Sequence, residues 1–175
     1  KGLSIVDNEL STLSDKIKKL LNEKGHKEIN ISAIKGPCLA AGLANKMRTG
    51  TVIANPYIKE AQFLKKIIST EYYSTEISND LDGVELSGAI KNIYSMLIGA
   101  SEGLSNSKAP IEIQSKYYLN TSASLIHRSI SEMVDFVSNY GGKPDTVYGL
   151  AGLGDLYVSA IGGRNSLMGR YLGEG

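Results

Sequence analysis

Leu10, Leu13, Ile17 and Leu20 recur at three- and four-residue intervals, with Lys16, Lys18, Lys19 and Glu23 on the other side. That spacing predicts an amphipathic helix, and Gly25 supplies its stop. Ahead of it, KGLSIVDNEL reads as the exit from a strand into a loop. Residues 28–34, EINISAI, alternate and are rich in β-branched side chains, which predicts a strand. GPCLAAGLANKM gives a turn and a helix of small residues, TVIA at 51–54 a second strand, and EYYSTEI a third. Asn55 and Pro56 predict the cap and first turn of a helix running through Ile68. Strand and helix alternate up to residue 78, an α/β pattern.

From Asn79 onward the pattern holds no strand. NDLDGVELSGAIKNIYSMLIGASEGL predicts one long helix to about Gly103, followed by a loop, GLSNSKAP. A second long helix is expected from about Ile111 to Tyr140, where Gly141, Gly142 and Pro144 break it. Small-residue helices and a loop, IGGRN, complete the chain. The expected organisation is therefore an α/β part, residues 1–78, and an all-α part, residues 79–175. The chain does not begin with methionine, and RNSLMGRYLGEG stops in mid-motif. Both features point to a piece of a longer protein, with sequence missing at each end.

Composition narrows the function class. Nineteen basic and 18 acidic side chains leave a formal net charge of +1, which argues against nucleic acid or an anionic membrane as partner. A single cysteine, Cys38, excludes an internal disulfide, and two distant histidines, His26 and His127, give no metal-ligand spacing. This usage fits a cytoplasmic setting. No apolar run approaches a membrane span.

Within the long helix, Lys91 shares a face with Val84, Ser87, Gly88, Tyr94, Ser95 and Ile98. None is acidic, so a buried ammonium there needs water, a distant carboxylate or a ligand. On the helix alone, a lysine on a solvated stripe fits equally well. Asp155, the only acid between Gly149 and Gly163, reads by itself as a helix cap or a surface carboxylate.

Five segments taken together carry a resemblance: KG at 1–2, KGPCLA at 35–40, GVELSGAIKNI at 83–93, GLAGLGDL at 149–156 and GGRN at 162–165. In order and spacing they resemble the NAD(P)-dependent glycerol-3-phosphate dehydrogenase family across nearly the whole chain. The implied fold is the end of a Rossmann-type NAD(P)-binding α/β domain, then an all-α, 6-phosphogluconate-dehydrogenase-like C-terminal domain. The implied reaction is hydride transfer between sn-glycerol 3-phosphate and dihydroxyacetone phosphate, with NAD or NADP as cofactor. The family's glycine-rich dinucleotide fingerprint is absent from this sequence, so the chain on its own is expected to bind cofactor poorly.

The resemblance also implies roles. Lys91 becomes the catalytic acid/base, a task suited to an amine whose pKa is lowered by enclosure and a neighbouring cation. Asp155 orients it, and Lys1 reaches the same substrate and the cofactor. Asn92 and Ser159 are implied to hydrogen-bond substrate, Ser159 standing where threonine is frequent. Gly163, Arg164 and Asn165 are implied to hold the phosphate, through close backbone approach, a bidentate fork and an amide. Ser166 is expected to cap the following helix, and Arg164 also to touch the cofactor. In the KGPCLA loop, Gly36 faces the phosphate and Ala40 the nicotinamide, while Cys38 replaces a usual serine. A homodimer formed through the helical part is implied as well. Two other readings stay open: a related hydroxyacid dehydrogenase, whose carboxylate substrate does not call for GGRN, and an inactive helical dimerisation module. Tyr72, Tyr73, Tyr117 and Tyr118 read as core and interface filling.

Overall fold

The computed structural model describes residues 2–108, 110–114 and 119–175, so Lys1, Tyr117 and Tyr118 lie outside it. The chain opens with an antiparallel hairpin rather than a loop: β1 (Leu3–Val6) pairs with β2 (Glu9–Thr12). The turn residues Asp7 and Asn8 have φ of 53° and 68°, the left-handed conformation that a two-residue hairpin turn demands. Leu10 is therefore a strand residue, and helix α1 (Leu13–Glu23) begins later than its spacing suggests. Thr12 sets that start. Its hydroxyl accepts from the Asp15 amide, and the Asp15 carboxylate accepts from the Thr12 amide.

Of the expected 28–34 strand only the end is paired, as β3 (Ala33–Lys35). Helix α2 (Ala40–Ala44) follows, then β4 (Thr49–Ala54), α3 (Ile58–Ile68) and β5 (Tyr73–Ser78). The three strands form one sheet in the order β3-β4-β5, with β3 antiparallel to β4 and β4 parallel to β5. The parallel pair needs a crossover, which α3 provides. Asn55 Oδ1 accepts from the Tyr57 amide at 2.7 Å, so Asn55–Pro56 forms the turn before α3 rather than its first turn.

Every described strand precedes Asn79, and the described elements beyond it are helical. Helix α4 (Leu81–Asn106) runs through the first half of the expected loop. Asp80 caps it, accepting from the Gly83 amide at 3.0 Å, and also accepts from the Lys143 amide at 2.9 Å. One buried carboxylate thus closes two helix N-termini, since Lys143 precedes α7 (Pro144–Tyr148). The helix expected over 111–140 is described as α5 (Ile111–Gln114) and α6 (Asn120–Asn139), with 115–118 outside the described residues. A π-helical turn (Leu150–Gly154), α8 (Asp155–Gly162) and α9 (Arg164–Glu174) complete the fold.

The helical core joins Leu86 and Ile98 of α4 to Met133 and Val137 of α6, Val147 of α7 and Leu156 of α8. Against another side of α4 lies α9, at a separation only glycine permits. A Cβ on Gly99 would stand 2.1 Å from the Ser166 carbonyl oxygen, and one on Gly169 would stand 1.9 Å from that of Met96. Gly103 and Gly173 repeat the relationship one turn along. Such small-xxx-small pairs let helix backbones touch. This contact fixes the start of α9 beside the middle of α4.

No described helix is long and apolar enough to cross a membrane.

Candidate active site

Lys91 sits midway along α4 and is only 3% exposed. Ser87, Gly88 and Ser95 on the same helix are also buried, and their small size leaves room for the lysine stem to cross towards α8. There Nζ pairs with Asp155 Oδ1, donates to Ser159 Oγ at 2.6 Å and to the Asp155 carbonyl oxygen at 3.4 Å. Asp155 and Ser159 are four residues apart, so one face of α8 presents both. The counter-charge that the Lys91 face of α4 lacks comes from another helix. Removing water from an ion pair is costly unless hydrogen bonds complete it, and Ser159 supplies one.

The π-helical turn aims that face. The Gly154 amide reaches back five residues to the Gly149 carbonyl oxygen at 3.2 Å. The inserted residue rotates everything after it relative to α7, a device frequent at functional sites. Gly152 is required within the turn, because a Cβ there would stand 2.1 Å from the Val147 carbonyl oxygen.

Lys91 opens onto a cleft of about 750 Å³. One wall is the segment after β3, with Cys38, Leu39 and Ala40; another is α4, with Lys91, Asn92 and Ser95. Ser159 lies on the α8 side, and the α8–α9 corner from Gly162 to Asn165 closes the end. The predicted residues Cys38, Ala40, Lys91, Asn92, Ser159, Gly163, Arg164 and Asn165 therefore share one cavity. Asp155 stands behind Lys91, buried and not lining the cleft.

The corner differs from the expected loop. Gly163 is the one residue between the two helices, and Arg164 and Asn165 already belong to α9. Ser166 does not cap this helix; it lies inside it and donates to the Ala160 carbonyl oxygen. With Gly163 at the cap position, the first amides of α9 receive no side-chain acceptor. A helix N-terminus of this kind, with Arg164 exposed beside it, is suited to an anion. A Cβ on Gly163 would stand 2.3 Å from the Ser159 carbonyl oxygen, so the corner can be this tight only with glycine.

Gly36 does not line the cleft. Its φ is +139°, and a Cβ would stand 2.9 Å from Thr51 Cα, so it packs against the sheet. The Cys38 amide donates to the Gly36 carbonyl oxygen at 2.8 Å, and this tight turn delivers the free Cys38 to the cleft wall. Lys1 falls outside the described residues. Leu39 and Ser95 were not singled out, since nothing in an apolar or hydroxyl position marks it as cleft-facing, whereas Gly162 belongs to the GGRN segment. A second buried charge pair was also missed. Lys35 of β3 lies 3.7 Å from Glu85 of α4, and both are at most 8% exposed. An acid inside the apolar run VELSG was the available signal.

The profile of the family described as NAD-dependent glycerol-3-phosphate dehydrogenase C-terminus matches residues 80–175. An Archaeoglobus fulgidus protein named NADP(+)-dependent glycerol-3-phosphate dehydrogenase is 33% identical over 175 residues, all of this chain and 50% of its own length. A Geobacter protein named glycerol-3-phosphate dehydrogenase [NAD(P)+] is 32% identical over all of this chain and 48% of its own. The chain thus spans about half the length of these curated relatives. Among solved structures, glycerol-3-phosphate dehydrogenase from Coxiella burnetii is 33% identical with a TM-score of 0.75, covering 89% of this chain and 46% of that one. DsGPDH of Dunaliella salina, at 23% identity, shares the fold with a TM-score of 0.83 over 99% of this chain and 27% of its own. By the family match, by these relatives and by a strand-containing part leading into a helical one, the chain belongs to the NAD-dependent glycerol-3-phosphate dehydrogenase family, whose C-terminal part its residues 80–175 represent.

Proposed function

We propose that the complete protein interconverts sn-glycerol 3-phosphate and dihydroxyacetone phosphate, with NAD or NADP as the hydride carrier. The observation that carries this reading is the buried Lys91, held by Asp155 and Ser159 and opening onto a cleft that ends at the α9 N-terminus. One end of the cleft offers a proton donor and acceptor, the other an anion site. A three-carbon phosphate ester spans those two chemistries.

The phosphate sits against the first amides of α9, with the Arg164 guanidinium and Asn165 amide donating to it. Asn92 and Ser159 orient the reacting oxygen. In the reductive direction Lys91 Nζ gives its proton to the carbonyl oxygen as hydride reaches the carbon. In the oxidative direction the neutral amine takes the hydroxyl proton. Asp155 holds Nζ in place and balances its charge in the protonated state. Leu39 and Ala40 give the cleft an exposed apolar lip that would take a flat nicotinamide ring, and Arg164 lines the same cleft. Bound there, the cofactor supplies or accepts the hydride. Gly162 keeps the lip open, since a Cβ would stand 3.1 Å from Leu39 Cδ1. Lys1 would add a second cation.

The division at residue 78, a cytoplasmic location and a homodimer through the helical part belong to the same proposal. Supporting the last, Ile93, Leu97, Ile161 and Tyr171 are large apolar side chains left exposed on α4, α8 and α9.

The test monitors NADH and NADPH oxidation by the complete protein with dihydroxyacetone phosphate. Turnover with either is expected. A folded protein that binds the phosphate yet turns over neither would overturn the reading, and carboxylate substrates would come next.

A further inference from the structure

The Lys35–Glu85 pair lies outside the acid/base machinery, yet it ties β3, whose following segment is one wall of the cleft, to α4, which is another, and to the start of α1. Glu85, on α4, is 5% exposed. One of its oxygens accepts from the Ser14 amide at 2.8 Å and from the Ser14 hydroxyl, so it sits at the N-terminus of α1. Its other oxygen lies 3.7 Å from Lys35 Nζ. The Lys35 stem crosses α4 at Gly88, where a Cβ would stand 2.9 Å from its Cδ. Gly88 is one turn before Lys91 on the same face.

Lys35 is also the last residue of β3, and the segment after it passes through Gly36 to the cleft-lining Cys38, Leu39 and Ala40. From the geometry we infer that Lys35 is a positioning residue: its buried tether to Glu85 and its seat over Gly88 hold the Cys38–Ala40 wall at a fixed distance from Lys91. A salt bridge serving stability alone would have no reason to enter at the root of this wall. The tether is short, because two residues separate Lys35 from Cys38. Loss of the anchor therefore moves the wall itself, whereas the α8–α9 corner stays seated by the close contact of α9 with α4. The catalytic consequence rests on the reaction proposed above, whereas the wall's position does not.

Cys38 reports on that position directly. In the complete protein, alkylation of Cys38 by iodoacetamide is followed by mass spectrometry of its own peptide, in the parent, Lys35→Met and Lys35→Met/Glu85→Gln. The double variant removes both charges, so no buried carboxylate is left without its cation. Cys38 labelling is expected to quicken about fivefold or more in both folded variants, since an untethered segment opens more often. Thermal stability should fall in the single variant and largely return in the double. Turnover with dihydroxyacetone phosphate should drop about tenfold in the double variant, with KM within about threefold, because misplacing one wall affects orientation more than anchoring.

Parental labelling rates in the folded double variant would overturn the inference and leave the pair a stabilising contact only. Should the single variant not fold, the double decides alone. If the parent itself shows no turnover, the functional reading fails, and the labelling comparison still tests the tether.

Discussion

Lys91 on α4 and Asp155 on α8 form an ion pair in which neither side chain is more than 4% exposed. Sixty-four residues separate them along the chain. Their meeting depends on the π-helical turn before Asp155 and on the small residues around Lys91. An ammonium so enclosed has its geometry set by the protein, which is what a proton-transfer group requires.

Asp155→Asn keeps the shape of this partner and removes its charge. Turnover is expected to fall about a hundredfold, in the range of a misdirected acid/base group. The variant should also unfold at lower urea, because Lys91 is left as a buried cation without its carboxylate. Steady-state kinetics beside urea titration measure both. Unchanged turnover would show that Asp155 is dispensable for orienting Lys91.

Arg164 should act through the phosphate. Arg164→Ala removes a charged hydrogen bond worth about 1.5–3 kcal/mol, so KM for dihydroxyacetone phosphate is expected to rise about 10- to 100-fold. Lys at this position should recover only part of the loss, having no planar fork. A KM within twofold of the parent in Arg164→Ala would place the phosphate elsewhere.

Gly169→Ala tests the contact that seats α9. The added methyl carbon would stand 1.9 Å from the Met96 carbonyl oxygen on α4, and backbone must move to admit it. A loss of about 1–3 kcal/mol in urea unfolding is expected, the cost of overpacking. The displaced α9 should weaken phosphate binding too, although residue 169 is not among the residues lining the cleft. Parental stability would mean that the helices separate without penalty.

Asp82, in the first turn of α4, gives a pH-dependent prediction. Burial, and then the carboxylates of Asp15, Asp80 and Glu85, raise its pKa above 3.8. These outweigh the favourable α4 N-terminus, which alone would lower it. A raised pKa means that the native state favours the protonated acid. That stability is present below 3.8 and lost as pH rises through the folded value, so ionised Asp82 is unfavourable at neutrality. Asp82→Asn should therefore raise the urea midpoint at pH 7, with the gain shrinking as pH falls through the folded pKa and absent well below 3.8. A lower midpoint at pH 7 would reverse the sign of this argument.

The Lys91 stretch and the GGRN corner were legible only through the five segments taken together, because a lysine on a solvated stripe or a plain surface loop fits either piece alone. The expectations that survive on a single segment are those with a local physical cause. The breaks at Gly25 and Gly141 mark helix ends, and both residues have positive φ, 89° and 88°. The features that stayed hidden were set at a distance. Leu10 fits the helical period but is held in a strand by the Asp7–Asn8 turn and the Thr12 cap. Glu85 meets Ser14 from 71 positions away, and no period records that. Nor does the spacing of Gly99 and Gly103 disclose that Gly169 and Gly173 will face them. The extra residue of the π-helical turn shifts a face without leaving a mark in the hydrophobic pattern.

The central claim is that Lys91 moves the proton. Its most direct test is the kcat of Lys91→Ala in the complete protein, with dihydroxyacetone phosphate and the preferred nicotinamide, on material shown to be folded by circular dichroism. A fall of about a hundred- to ten-thousandfold is predicted, the scale of general acid/base catalysis. Turnover within about fivefold of the parent would contradict the account, because no positioned proton donor contributes so little.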